Sequence, residues 1–139
     1  MREPITSSFR DAMDTGLAAR FTMSTGGNFV LTVLVLYGHT GGHSDTRNAR
    51  ATDTLLIAIQ QEIAALQPGP IALVADLNAD SADLLALREF EHQGWVDLGA
   101  RDFPGTPADT PTCFPANGPP TRRDYVWVNP TLLGFVDHF

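Results

Sequence analysis

Apolar and polar residues alternate from Leu17 to Ser24, with Ala19, Phe21 and Met23 set against Arg20, Thr22 and Ser24. A period of two is the signature of a strand with one face covered. Thr25-Gly26-Gly27-Asn28 then reads as a tight turn, and Phe29 to Tyr37 (FVLTVLVLY) is almost wholly apolar and rich in β-branched residues. That run predicts a strand buried on both faces and paired with the first as a hairpin. After a glycine-rich loop from Gly38 to Ser44 the period changes. Leu55, Ile59, Ile63 and Leu66 recur at helical spacing, which predicts a helix over about 45–67 that Pro68-Gly69-Pro70 stops. Ile71 to Leu77 is a second short buried strand, and Ser81 is the expected N-cap of a helix ending near Gly94. Trp95 to Leu98 is extended. Arg101 to Pro120 is proline-rich connection with a short strand near Thr112. Arg122 to Val128 is the last clear strand, and Asn129 to Leu133 a turn or short helix. Residues 1–16 show neither period and read as an irregular leader, with one domain over 17–139. Hairpin strands mixed with helical crossovers predict an α/β fold, a layered sandwich of mixed β-sheets flanked by helices.

Composition adds limits. A length of 139 residues with 43% apolar content suits one globular domain with a real core. No apolar run is long enough to span a bilayer, and no hydrophobic stretch follows Met1-Arg2-Glu3-Pro4, so an intracellular location, cytoplasm or nucleus, is expected. The single cysteine, Cys113, excludes an internal disulfide and a cysteine-rich zinc site. The net charge is −7 and all nine basic residues are arginines. Such a chain is poorly suited to holding a polyanion by counterion release alone. A site for a divalent metal, however, must itself be acidic.

Three segments carry candidate chemistry. The strand IALVA runs into Asp76-Leu77-Asn78, and strand alternation would put both polar side chains on one site. An aspartate there can hold a metal or deprotonate a water, and an asparagine can donate to a phosphate oxygen; both residue types are also ordinary turn formers. Tyr37 ends the apolar strand before the glycine-rich loop, where its phenol can donate to phosphate or simply sit wet at the rim. Arg122-Arg123-Asp124-Tyr125 opens the last strand, and Asp124 can orient a histidine or form a surface ion pair.

Taken together, these segments resemble the endonuclease/exonuclease/phosphatase superfamily, which includes abasic-site endonucleases and the endonuclease domains of non-LTR retroelements. The resemblance rests on Tyr37 within VLVLYGHTGG, on Ala75-Asp76-Leu77-Asn78 at a strand end, on Thr112, and on Arg122-Arg123-Asp124-Tyr125, in that order along about 17–133. Gly94-Trp95-Val96-Asp97-Leu98 is similar to the stretch that follows a helix in the family. The resemblance implies metal-dependent phosphodiester hydrolysis with Mg²⁺ or Mn²⁺, which polarises the phosphate and stabilises the leaving oxygen. Asp76 would activate water or ligate metal, Asn78 and Tyr37 would contact the phosphate, and Asp124 would pair with a catalytic histidine. Arg122 and Thr112 would support them. Nucleic acid is the implied substrate, with a small phosphate ester as the alternative.

The departures from the pattern are equally specific. Ala75 stands where the family has glycine. The family's upstream asparagine and metal-binding glutamate find no counterpart, since Glu3 lies in the leader and Glu62 follows Tyr37 in a helix. Asp137-His138 resembles the family's terminal pair but follows Asp124 too closely to return to the site. The domain is therefore expected to be incomplete at both ends, with weak activity or none; a non-catalytic remnant or binding module of the same fold is the competing class. His39 and His43 are expected to be solvated loop residues.

Overall fold

The computed structural model describes residues 4–24 and 28–137. The turn expected at Thr25-Gly26-Gly27 and the histidine at 138 lie outside the described residues. The elements in chain order are α1 (Ser7–Asp14), β1 (Ala18–Ser24), β2 (Val30–Tyr37), α2 (Thr46–Ala65), β3 (Ile71–Asp76), α3 (Leu85–His92), β4 (Val96–Asp97), β5 (Asp124–Val128) and α4 (Pro130–Leu133), with 3-10 turns at Ser81–Asp83 and Leu98–Ala100.

Five strands form one mixed sheet in the order β1-β2-β3-β5-β4. β1 and β2 are the expected antiparallel hairpin, with Phe21 opposite Val33. β2 and β3 are parallel, and the crossover between them is α2. β5 runs antiparallel to β3, and the short β4 pairs with β5 at the far edge. The fold is thus α/β with a mixed sheet flanked by helices. The described residues hold one sheet where several were expected.

One face of that sheet is closed. Leu34, Leu36, Leu73, Ala75, Tyr125 and Trp127 point to it and pack with Phe9, Leu56, Ile59, Leu87 and Phe90 from α1, α2 and α3. Each fully buried Leu or Ile side chain contributes about 1.5–3 kcal/mol relative to exposure. The opposite face is covered only in part. Leu98, Val96, Phe103, Leu132 and Val136 pack over Ala72 and Val128 near the start of β3. Farther along, Phe21, Met23 and Val74 remain 56%, 52% and 40% exposed. This corrects the reading of β2 as buried on both sides. Leu34 and Leu36 are buried, but Val33 and Val35 are only half-buried and Tyr37 is exposed, because the described residues cover this face only in part.

Two further expectations change. The reading of 1–16 as an irregular leader is corrected at Ser7–Asp14, which is helical and buries Phe9 and Ala12. Phe9, Ala12 and Met13 stand at i, i+3 and i+4, but eight residues make barely two turns, too short for the period to stand out. The helix expected from Ser81 is split into a 3-10 turn at Ser81–Asp83 and a later α3, with Leu84 extended between them. The amide of Ala86 in the first turn of α3 donates instead to Asp53 Oδ1 of α2, at 2.8 Å. Gly94 ends the segment as expected, with φ +80°.

A buried ion pair fixes α1 to the sheet. Glu62 of α2 is fully buried and pairs with Arg20 of β1. Its other oxygen accepts from Thr6 N at 2.9 Å and Thr6 Oγ1 at 2.7 Å. Removing one partner of a buried pair leaves the other charge unsatisfied, so Glu62→Ala is expected to cost about 3–5 kcal/mol in urea unfolding. The two sheet faces make a second prediction. Leu34→Ala, on the closed face, is expected to cost about 2–5 kcal/mol, whereas Val74→Thr, on the open face, stays within about 0.5 kcal/mol of the parent in the same experiment.

Candidate active site

The strand register assembles the site. Tyr37 is the β2 partner of Asp76, and Asp76 is the β3 partner of Asp124. Laterally paired residues share a face, and adjacent strands lie about 4.8 Å apart, so the three side chains form a row roughly 10 Å across. The row sits at the C-terminal ends of the parallel strands, where loops diverge and ligands can enter. All three line one open cavity of about 380 Å³ on the uncovered sheet face. Its floor is the next row inward, Val35, Val74 and Val126, and its rim includes Thr106, Thr110 and Thr112.

Hydrogen bonds beyond the strands hold the row in place. Gly38 N donates to Asp76 O at 2.7 Å and Leu77 N to Arg123 O at 2.9 Å, so pairing runs past Asp76 on both sides. A side chain at Gly38 would collide with the Leu77 carbonyl, so the two strand ends approach as backbone against backbone.

Asn78 does not line this cavity, and its placement differs from the one expected. β3 ends at Asp76, and Asn78 is left-handed with φ +51°, so strand alternation does not extend to it. Its backbone N–H donates to Asp76 Oδ1 at 3.2 Å, forming an Asx-type turn. Its side-chain amide donates to Gly38 O at 3.0 Å. Asn78 therefore stands beside Asp76 while tying the β3 loop to the β2 loop.

The carboxylates are unevenly placed. Burial pushes the Asp76 carboxyl above the usual aspartate range; the Asn78 amide works against this, the Asp124 charge adds to it, and Arg123 opposes it. Arg123 itself pairs with Asp80 at 3.1 Å. Asp124 is exposed. The donors are all oxygens, which suits a hard divalent cation: Asp76 and Asp124 would be its carboxylate ligands, with water and phosphate oxygens completing the shell. Among the described residues no group of three or more His, Cys, Asp or Glu side chains converges.

The remaining candidates lie elsewhere. His39 is half-buried rather than fully solvated, with its backbone N–H on Thr52 Oγ1 at 2.8 Å, and His43 is exposed in the same loop. Asp137 is exposed and follows Val136, which packs with Ala72 and Val128 at the opposite end of β3 from Asp76. The sequence did not single out Asp97. It is buried and receives both terminal nitrogens of Arg122 on its two oxygens, at 2.9 and 2.5 Å. Its only signal was its place in Gly94-Trp95-Val96-Asp97-Leu98.

No family model and no curated protein matches the chain. Among solved structures, it is similar to an endonuclease/exonuclease/phosphatase family protein from Bacteroides thetaiotaomicron, with 18% identity and a TM-score of 0.50. What the two share is the fold. The match covers 81% of this chain and 40% of that one, so this chain spans less than half of its structural neighbour. Among the described residues no helix is long and apolar enough to cross a membrane.

The raised Asp76 value has a consequence for stability. The folded chain holds this proton more tightly than the unfolded chain, so the Asp76 contribution is least favourable above the folded value and improves as pH falls through it. Asp76→Asn keeps an oxygen for the Asn78 amide and removes the charge. This variant is expected to melt above the parent at pH 7.5, with the gap closing below the ordinary aspartate value of 3.8. Parallel thermal melts across pH check it; a gap that does not change with pH contradicts it.

Proposed function

We propose that this chain carries the Tyr37–Asp76–Asp124 part of a metal-dependent phosphodiester hydrolase site and that by itself it turns over weakly or not at all. The observation that carries this reading is the row: three chemically apt side chains, up to 87 positions apart, in register at one end of the sheet. The fold shared with an endonuclease/exonuclease/phosphatase family protein supports the same reaction class. Mg²⁺ or Mn²⁺ would supply charge stabilisation for the phosphate and its leaving oxygen. Within this chain Asp76, with its raised proton affinity, is the group suited to taking a proton from water. Tyr37 is suited to donating to a phosphate oxygen, and Asp124 to fixing a positively charged or hydrogen-bonding partner. The Asn78 amide keeps one N–H beyond the bond to Gly38.

Nucleic acid is the first substrate class, from the likeness of the tyrosine loop and the Arg122–Tyr125 segment to retroelement endonucleases. The charge of −7 and the absence of lysine favour a second reading, a small phosphate ester that needs no polyanion-binding surface.

The test is nicking of supercoiled plasmid and of an abasic-site duplex, beside hydrolysis of bis(p-nitrophenyl) phosphate, in Mg²⁺ and in Mn²⁺. Mn²⁺ broadening of the Tyr37, Asp76 and Asp124 resonances reports cation binding. The expected outcome is site-selective broadening that Asp76→Ala removes, with no nucleic-acid cleavage above background. Catalytic groups acting as a unit lose most of their effect when one is missing. Broadening absent up to millimolar Mn²⁺ sinks the metal-site reading and leaves a non-catalytic module of this fold. Robust metal-dependent cleavage that Asp76→Ala abolishes overturns the claim of weak turnover.

A further inference from the structure

Asp124 is the first residue of β5, where a strand would ordinarily fray. Here it is held from behind. Thr112 Oγ1 accepts from two successive backbone amides, Arg123 N at 3.0 Å and Asp124 N at 3.1 Å. Thr112 is itself fixed across from Thr121: Thr112 N and Cys113 N both donate to Thr121 O, and Thr121 N donates back to Cys113 O at 3.0 Å. Arg122 then anchors this assembly to the rest of the fold. Its guanidinium grips both oxygens of Asp97, pairs with Asp109 at 3.2 Å, and stacks 4.3 Å from the Tyr125 ring centroid. A two-pronged arginine–carboxylate pair fixes direction as well as distance, which a lysine cannot do. Gly99 lies so close that any side chain there would collide with the guanidinium.

We propose that Thr112, backed by the Arg122–Asp97 pair, is a positioning residue that sets the Asp124 carboxylate beside Asp76. Thr112 acts through the backbone. Two amides converging on one oxygen restrict the dihedrals that lead into Asp124, and the Asp97 clamp prevents the loop that carries Thr112 from drifting across the sheet. The proposal rests on reading Asp76 and Asp124 as the carboxylates of the site, but the geometry it claims can be measured without turnover.

The test compares Thr112→Val, Thr112→Ser and Arg122→Lys in the whole chain by carboxyl ¹³C NMR at pH 7.5, with melting temperature recorded alongside. Thr112 is exposed and Val is nearly isosteric, so that variant keeps the fold. Thr112→Val is expected to displace the Asp124 carboxyl resonance and to speed exchange of the Arg123 and Asp124 amides, while the remote Asp14 resonance stays in place. Thr112→Ser, which keeps the acceptor, is expected to restore the parental spectrum. Arg122→Lys should move Asp124 in the same sense as Thr112→Val. An Asp124 resonance that stays put in Thr112→Val overturns the proposal, whatever happens to the melting temperature. Equal displacement in Val and Ser also overturns it, because the acceptor would then not be the cause. A displaced Asp124 signal in a chain that shows no site-selective Mn²⁺ broadening leaves the positioning role standing and removes the functional reading alone.

Discussion

Strand β3 is hydrogen-bonded along both edges, and its register decides where Tyr37, Asp76 and Asp124 stand. A parallel partner on one side brings Tyr37 level with Asp76, and an antiparallel partner on the other brings Asp124 level with it. Because side chains alternate along a strand, a slip of one residue in either pairing would send one member of the row into the helical core. The inner face prevents that slip. Leu34, Leu73, Ala75, Tyr125 and Trp127 fit against α1, α2 and α3, and turning β3 over by one residue would bury Asp76 and expose Leu73. The site is in this sense a by-product of core packing on the other side of the sheet.

The chain's charges divide by environment. The buried Glu62 has Arg20 and Thr6, and the buried Asp97 has Arg122. Each of these carboxylates meets an arginine in a low-dielectric setting, where an unpaired charge would be costly. Asp76 differs. Burial, with the Asp124 charge adding to it, leaves it with a raised proton affinity that the Asn78 amide and Arg123 only partly offset. The two fully paired buried carboxylates, Glu62 and Asp97, are each matched by an arginine, whereas the candidate functional ones, Asp76 and Asp124, stand beside each other.

The open face of the sheet is the largest departure from a self-sufficient core. Phe21, Met23 and Val74 stand in solvent on a surface that the loop around Thr106–Thr112 and the α4 segment cover only at its two ends. An apolar sheet face without a second layer forgoes the burial that normally stabilises a two-layer architecture. Most of the structural neighbour's chain lies outside the portion the two share.

The sequence by itself determined the hairpin, the long helix with its Asp45 start, the strand leading to Asp76 and the last strand, read as Arg122 to Val128 and formed from Asp124 onward. In each, a period of two or of 3.6 survives over enough residues to be read, or a Pro-Gly run marks the border. It also pointed to Tyr37, Asp76 and Asp124, through the resemblance their segments carry in order along the chain, since each residue taken alone is an ordinary rim or turn residue. Tertiary structure decided the rest. An apolar run such as FVLTVLVLY looks the same whether one or two layers cover it, so only packing shows that one face is open. The helix at Ser7–Asp14 is too short for its period to show and depends on Glu62, far along the chain, to hold its start. Asn78 leaves the strand because a left-handed turn there satisfies both Asp76 Oδ1 and the Gly38 carbonyl. Asp97 acquires its meaning only from Arg122, a partner 25 residues away, and no local pattern encodes a pairing that forms when distant segments close on the same sheet.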